Sequence, residues 1–241
     1  MANAAELQEL RATPLTDKAR QTAALMESAR SLGWMDRIDL QEEQVWEPKS
    51  DSAPLAPLLE ALRGLASWLQ DTRTSGAVIG GVAASILGRP RFTRDIDVVV
   101  MVEEQRWAWF LSSGSKFGFR PRRPDALEFA GKAGVLLVRH EPSGIDVDVS
   151  FASLPFEKEL IARTVWRDVG GVHTPLPGVE DLIIMKAVAH RTRDIGDIES
   201  LVETNTRLDV DRILRWVGDF ASALEMPELL SDLEAIISRK H

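Results

Sequence analysis

The chain has 241 residues, of which 44% are hydrophobic and 27% are charged, and its formal net charge is −8. This length fits one large domain, or a core domain with a helical extension, with enough apolar residues to bury a core. The absence of cysteine excludes disulfides, thiolate metal sites and a cysteine nucleophile. Residues 1–6 lack a basic segment followed by an apolar one, and no run approaches the roughly 20 apolar residues of a membrane span. We therefore expect a cytoplasmic protein that does not contact the membrane.

Basic charge is concentrated in one part of this acidic chain. Residues 89–123 contain eight basic and four acidic side chains, which gives this segment a net charge of +4. The overall negative charge argues against non-specific coating of nucleic acid. The basic segment itself has two interpretations, an ordinary solvated face or a landing surface for a triphosphate or an RNA end. The sequence alone leaves both open.

Periodicity divides the chain into three stretches. Residues 1–54 are predicted to form a helical N-terminal arm, which ends in a connector containing Pro and Ser. Residues 55–155 form the predicted core: leucines at helical spacing indicate a helix over 57–70, and short β-rich runs over 76–151, with Phe129 in one of them, indicate a sheet. Residues 156–241 are predicted to be mainly helical, with a short strand or hairpin over 169–177. This order of elements is typical of an α/β or α+β fold.

A glycine pair and an acidic pair occur at fixed spacing in the predicted sheet. Gly80 and Gly81 follow a short apolar run, and thirteen residues separate them from Asp95, which is followed by Asp97. Glycines let a backbone approach a phosphate closely, because they have no side chain and accept positive φ. Aspartates two apart on a strand point to the same face, so both carboxylates can bind the same divalent cations. The spacing predicts a metal-assisted phosphate site.

A second acidic pair, Asp146 and Asp148, lies on a later predicted strand. A single Asp-x-Asp is a weak signal, since edge strands often carry exposed acids. Asp95 and Asp97, however, lie in a strand that is otherwise apolar enough to be buried, where an unpaired carboxylate is costly. A metal ion or a cationic partner offsets that cost. The four histidines show no paired ligand spacing, which argues against a zinc site.

These residues resemble the signature of the nucleotidyltransferase superfamily that includes the polymerase-β-like and minimal nucleotidyltransferases. A later segment, residues 180–191 together with Asp194 and Asp197, resembles the helix of the bacterial branch that contains AbiEii-like toxins of toxin–antitoxin systems. The resemblance covers about residues 76–202. It implies a mixed nucleotidyltransferase sheet flanked by helices.

The resemblance assigns a metal site to the acids. In that superfamily the paired acids bind two magnesium ions, and a third acid on a later strand completes the site. Asp95 and Asp97 match the pair directly. Asp146 and Asp148 share strand parity, so both are candidates for the third position. We favour Asp148 as the third metal ligand and expect Asp146 to support the ligands without binding the metal itself. Asp95, Asp97 and Asp148 are then the predicted catalytic and metal-binding residues.

The resemblance also implies that a nucleoside triphosphate is the substrate. The predicted nucleotide-binding residues are Gly80, Gly81, Ser85, Arg91, Thr93 and Lys186. Thr93 has an alternative interpretation as a turn residue, and Lys186 as a lysine on a helix surface. Arg191, Asp194 and Asp197 are expected to form a charge network that braces the helix against the sheet.

The implied reaction moves a nucleoside monophosphate to an acceptor hydroxyl while pyrophosphate leaves. We expect the acceptor to be RNA, such as a tRNA end, or a protein, and the protein to be toxin-like, with an antitoxin or regulator as a candidate partner. Two other classes stay open. One is a non-catalytic module that binds a nucleotide or a protein on the same fold, and the other is an enzyme with a small-molecule acceptor such as an aminoglycoside.

Overall fold

The computed structural model describes residues 55–239, so the predicted arm, residues 1–54, lies outside the described part. The helices of this part are α1 Leu55–Asp71, α2 Gly80–Leu87, α3 Trp107–Gly114, α4 Ala126–Ala133, α5 Pro155–Ala162, α6 Val179–Ala189, α7 Thr192–Thr204, α8 Val210–Leu224 and α9 Glu228–Ser238. The strands are β1 Gly76–Ile79, β2 Asp95–Val100, β3 Phe119–Pro121, β4 Val135–His140, β5 Ile145–Phe151, β6 Val165–Val169 and β7 Val172–Leu176. None of the described helices is long and apolar enough to cross a bilayer.

Five strands form one mixed sheet in the order β1-β2-β5-β4-β3. The β2–β5 pair is parallel, and the other three pairs are antiparallel. A parallel pair needs a crossover connection, which α3, β3, α4 and β4 supply between β2 and β5. The remaining strands, β6 and β7, form a separate antiparallel hairpin. The predicted α/β fold, a mixed sheet flanked by helices, is confirmed.

The two central strands present an apolar face and an acidic face. Ile96 and Val98 on β2 are fully buried, and so are Val147 and Val149 on β5. Because side chains alternate along a strand, the aspartates between these residues point to the opposite face. The alternation therefore places every acid of both pairs on one face of the sheet.

Helix α1 covers the apolar face. Its leucine stripe is buried as the sequence predicts, through Leu62, Leu65 and Leu69. Trp68 is also fully buried, and its ring stacks on that of Phe119 with centroids 5.0 Å apart. Phe119 is in register with His140 on β4, and this row lies on the same face as Val147. Helix α1 is therefore on the side of the sheet away from the acids.

Two sequence predictions about strands are wrong in detail. The sequence predicts Phe129 in a strand, but this residue lies in helix α4, which buries Ala126 and Ala130 one turn apart. The aromatic ring supports the guanidinium of Arg123, whose carbon lies 4.5 Å from the ring centroid. The hairpin also begins earlier than residue 169, because β6 starts at Val165. A single aromatic residue with strand propensity does not outweigh helical spacing of buried alanines.

The helices after residue 155 share one hydrophobic core with the sheet. Ile183 and Ile184 on α6 are fully buried in the same cluster as Ile96. Helix α8 contributes Trp216 and Phe220, which pack around Phe156 with ring centroids 5.1 and 5.9 Å away. The division of the chain at residue 155 stays a prediction, since apolar packing is continuous across it.

Candidate active site

The register of β2 and β5 brings the two acidic pairs together. Asp95 is opposite Asp146, and Asp97 is opposite Asp148, in a parallel pair. Neighbouring strands lie about 4.8 Å apart, so the carboxylates of a registered pair project side by side from the sheet. Asp95 is exposed, whereas the other three aspartates are partly buried. The sheet thus gathers four carboxylates at one end of one face.

Gly80 forms the floor of this acidic site. It has φ of +62°, and a Cβ built on it would lie 2.6 Å from the carboxylate carbon of Asp97. Any side chain here is therefore strained by the backbone and blocked by the carboxylate. Ile79, just before it, is in register with Asp97. The glycine is required because the strand turns into α2 directly against the acid.

Gly81 lies against the segment that leads into β2. A Cβ on Gly81 would lie 2.8 Å from the hydroxyl oxygen of Thr93 and 3.1 Å from the guanidinium of Arg91. Thr93 in turn donates a hydrogen bond of 3.2 Å to a carboxylate oxygen of Asp95. Thr93 therefore touches both the glycine pair and the acidic pair, which places this predicted residue within the site.

Burial and repulsion between carboxylates raise the pKa values of Asp97 and Asp148. Burial raises the pKa of Asp97 to about 6, with a further contribution from Asp95, against the attraction of Arg191 and Lys186. Burial also raises the pKa of Asp148 to about 7; Arg122 opposes this, and Asp97 adds to it. Uncompensated negative charge at neutral pH is the condition that a bound divalent cation relieves.

Two arginines hold the second acidic pair. Arg122 donates a hydrogen bond of 3.0 Å to Asp146 and also contacts a carboxylate oxygen of Asp148. Arg139 donates to Asp146 from its Nε at 2.6 Å. Burial acts to raise the pKa of Asp146, but the hydrogen bonds and charges of the two arginines outweigh it and lower that pKa. Asp146 is thus the better compensated acid of the pair, and Asp148 the less compensated one.

The donor set suits a hard divalent cation. Asp95, Asp97 and Asp148 offer only carboxylate oxygens, the ligands that Mg²⁺ prefers. Within residues 55–239, however, no three acidic or histidine side chains stand in an arrangement that holds a metal ion as they are. Arg122 lies against Asp148 instead. Binding of a cation therefore requires side-chain movement, above all of Arg122.

A buried ion-pair network joins α6 and α7 to the segment before β2. The ammonium of Lys186 lies 2.8 Å from Asp194 and 2.6 Å from Asp197. Arg91 donates to both carboxylate oxygens of Asp197, at 2.7 and 2.9 Å, and Arg191 donates to Asp194 at 2.7 Å. The expected charge network is therefore present. Only 4% of Lys186 is exposed, so its interpretation as a helix-surface lysine is wrong.

Ser85 holds the segment that carries Arg91. Its hydroxyl accepts a hydrogen bond from the backbone N–H of Arg91 and donates one to the backbone oxygen of the same residue, both at 3.0 Å. Ser85, Arg91 and Lys186 thus form a support behind the glycine pair. Their contact with a nucleotide stays a prediction.

Neither Arg122 nor Arg139 is among the site residues predicted from the sequence. Arg122 belongs to the basic segment 89–123, but its two aspartate partners lie on another strand. Arg139 interrupts an apolar run, Val138 before it and buried His140 after it, which is a signal for an outward-facing charge. Pairing Arg139 with Asp146 requires the antiparallel register of β4 and β5, and pairing Arg122 with its acids requires that of β3 and β4 as well. A single sequence does not give these registers.

Comparison with known proteins points to one family. The model of the family described as "Nucleotidyltransferase of unknown function (DUF6036)" matches residues 57–228. A search of the curated proteins gives no significant match. Among solved structures, an antigenic nucleotidyltransferase-like protein from Paracoccidioides brasiliensis is similar at 19% identity and a TM-score of 0.48, over 75% of this chain and 94% of that one. ANT(2")-Ia in complex with adenylyl-2"-tobramycin is similar at 13% identity and a TM-score of 0.42, over 76% of this chain and 99% of that one.

Proposed function

The chain belongs to the DUF6036 family of nucleotidyltransferases, and we propose that it is a magnesium-dependent enzyme that transfers a nucleoside monophosphate from a nucleoside triphosphate to an acceptor hydroxyl. The observation that carries the proposal is the register of Asp97 with Asp148 directly above Gly80. This arrangement combines oxygen donors for metal ions with an open backbone for phosphate at one end of the sheet.

Asp95, Asp97 and Asp148 hold the metal ions in this proposal, because their carboxylates share one face. When bound there, magnesium neutralises charge on the triphosphate and lowers the pKa of the attacking hydroxyl. Asp146 stays with Arg122 and Arg139, which keep it ionised behind the site. The difference in partners between Asp146 and Asp148 supports Asp148 as the third ligand.

The protein's own groups position the donor. The backbone of Gly80 and Gly81 at the start of α2 receives phosphate oxygens, since a helix N-terminus favours anions. Thr93 orients Asp95 through its hydrogen bond. Lys186 acts through the segment before β2: it fixes Asp197, which binds Arg91. The buried network therefore keeps the phosphate-binding backbone rigid.

The transfer is an in-line displacement at the α-phosphorus. The acceptor oxygen forms a bond to this phosphorus, and the bond from the phosphorus to the bridging oxygen breaks, so that pyrophosphate leaves with the electron pair. The hydroxyl O–H bond breaks as its proton passes to a carboxylate oxygen of Asp148, which lies beside Asp97 on the acidic face. Asp148 thereby combines metal binding with proton transfer.

The proposed acceptor is RNA, such as a tRNA end, or a protein hydroxyl. The resemblance of residues 180–191, Asp194 and Asp197 to the AbiEii-like branch supports a toxin role in the cytoplasm, with an antitoxin as partner. This segment lies on α6 and α7, where it supports the site from behind. A small regulator gene next to this one would favour the toxin role.

The test is transfer of label from α-labelled nucleoside triphosphates with magnesium, in separate reactions with total RNA, with cell protein and with an aminoglycoside. We expect transfer by the wild-type chain and none by Asp97→Asn. Asp71→Asn, which changes an exposed acid at the end of α1, serves as the matched control and should retain activity. Triphosphate binding by calorimetry without transfer to any acceptor would refute the enzyme and favour a non-catalytic binding module.

A further inference from the structure

The acidic face of the sheet changes sign from one side to the other. Across four strands, one row of registered residues runs Asp95, Asp146, Arg139, Arg120. Registered residues project from the same face, as the hydrogen bond from Arg139 to Asp146 shows. The acids therefore lie on β2 and β5, and the arginines lie on β4 and β3.

Arg122 extends the basic side along the neighbouring row on the same face, which contains Asp97, Asp148 and Leu137. Its backbone N–H donates to the carbonyl oxygen of Leu137, the residue opposite Asp148, and its guanidinium reaches back to Asp146 and Asp148. We call Arg120, Arg122 and Arg139 the arginine strip. Outside the three proposed metal ligands, only Asp146 is paired with this strip among the described residues. Three guanidiniums thus face one remaining carboxylate once Asp148 is engaged by metal.

Arg120 is the strip residue without a partner in the described part of the chain. Its side chain is exposed, and no hydrogen bond or ion pair within residues 55–239 engages its guanidinium. It lies directly opposite Arg139 on the neighbouring strand, where like charges disfavour each other. The pairing of Arg120 with Arg139 does not stabilise the fold, but an anion bound between the two guanidiniums offsets their repulsion.

The strip lies on the acceptor side of the site. Gly80, which receives the triphosphate in the proposed function, follows β1, on the far side of β2 from β5. The arginine strip lies beyond Asp148: Arg139 is on β4, Arg120 is on β3, and Arg122 directly follows β3. Strand β3 is two strand spacings, or about 10 Å, from β5. A molecule on the strip therefore approaches Asp148 from the side opposite the donor.

We propose that the arginine strip binds the phosphate backbone of a polynucleotide whose terminal hydroxyl reaches Asp148 as the acceptor; this inference rests on the proposed function. Planar guanidiniums bind phosphates with paired hydrogen bonds, and a row of them follows a sugar–phosphate chain. The same charge repels a cationic acceptor such as an aminoglycoside. The strip therefore favours RNA among the acceptors named above and gives it a binding surface.

The experiment measures binding of the full chain to a fluorescein-labelled single-stranded RNA by fluorescence anisotropy, without triphosphate and over a range of salt. We expect Arg120→Gln to weaken binding several-fold and Arg120→Gln/Arg139→Gln to weaken it further. The slope of log affinity against log salt should decrease by about 0.7 for each phosphate that the variant no longer neutralises. Arg63→Gln removes an exposed arginine from α1, on the other side of the sheet, and should leave binding unchanged.

Three outcomes would overturn the inference. These are wild-type affinity in the Arg120 variants, an equal loss in Arg63→Gln, and equal, Arg120-dependent binding of polyglutamate, which would assign the strip to an acidic protein. The single variant Arg120→Gln keeps every ion pair of the described fold, so misfolding does not obscure the result. Because the assay contains no triphosphate, the two proposals fail separately. RNA binding that depends on Arg120 in a chain without transferase activity would refute only the proposed function, and transfer without such binding would refute only the strip.

Discussion

Replacement of Asp148 by asparagine should stabilise the protein while removing its activity. The carboxylate is partly buried beside three other aspartates, and its pKa is raised from 3.8 to about 7. Ionisation at pH 8 therefore destabilises the folded state, whereas the unfolded chain ionises freely. Asparagine keeps the shape and removes the charge. A gain in stability when a catalytic group is removed is expected where the site is electrostatically strained.

The size of the gain follows from the pKa. A difference of roughly three between the folded value of about 7 and the ordinary 3.8 corresponds to at most about 4 kcal/mol at pH 8. The asparagine also leaves Arg122 with one carboxylate partner, Asp146, instead of two, which offsets part of this gain. We expect a net gain of about 2 kcal/mol, or about 4–8 °C in Tm for a chain of this size.

The dependence on pH has a definite sign. Below about pH 4 the carboxyl is protonated in both states, so wild type and Asp148→Asn should not differ in stability. Between about pH 4 and 7 the folded wild type binds more protons than the unfolded chain, and its stability falls as pH rises. Above pH 7 the full difference is present. The assay is thermal unfolding in EDTA at a series of pH values.

Asp146→Asn provides a matched control of opposite sign. Its pKa is lowered, because its two arginine partners outweigh burial, so its charge stabilises the folded state above the unfolded pKa. Asp146→Asn should therefore lower Tm at pH 8. A lower Tm for Asp148→Asn at pH 8 without metal, or a gain that does not change with pH, would refute the electrostatic explanation of the site.

Two further substitutions test the floor and the support of the site. Gly80→Ala should lower the free energy of unfolding by at least about 1–2 kcal/mol because of the positive φ alone, and it should abolish transfer by displacing Asp97. The control is Gly131→Ala in α4, where nothing lies within 4 Å of the new methyl group. It should be neutral or stabilising in the same denaturant titration. Lys186→Met removes the ammonium that pairs with the buried carboxylates of Asp194 and Asp197, so the free energy of unfolding should fall by about 3 kcal/mol. The control Lys132→Met removes an exposed ion pair on α4 and should leave the unfolding midpoint nearly unchanged. Equal effects of either substitution and its control would be inconsistent with the structural roles of Gly80 and Lys186.

The local part of the site could be predicted from the sequence, because it depends on spacing along one strand. Alternation places Asp95 and Asp97 on one face whatever the rest of the fold does. The glycine pair is also visible in the local sequence. The need for glycine at position 80 is not a local property, because it comes from the Asp97 carboxylate of the neighbouring strand, which lies against Gly80. The match of Asp97 with Asp148 depends on the β2–β5 register, which local spacing does not determine.

The rest could not be predicted because it depends on contacts between distant segments. Helical periodicity locates α6, but the burial of Lys186 follows from aspartates on α7 that fold back against it. In the sequence Arg122 is one of several arginines in a basic segment, and only the β3–β4–β5 register brings it to Asp148. The propensity of Phe129 predicts a strand, whereas its position is set by the buried alanines on either side.

The sharpest test of the proposed chemistry is pyrophosphate release with the four nucleoside triphosphates and total RNA, measured while magnesium is added to the EDTA-treated protein. We expect the wild-type chain to release pyrophosphate only with magnesium, Asp148→Asn to be slower by about a hundredfold or more, and Asp146→Asn to retain activity. Release by wild type without magnesium, or equal activity of wild type and Asp148→Asn, would rule out the proposed metal-assisted transfer.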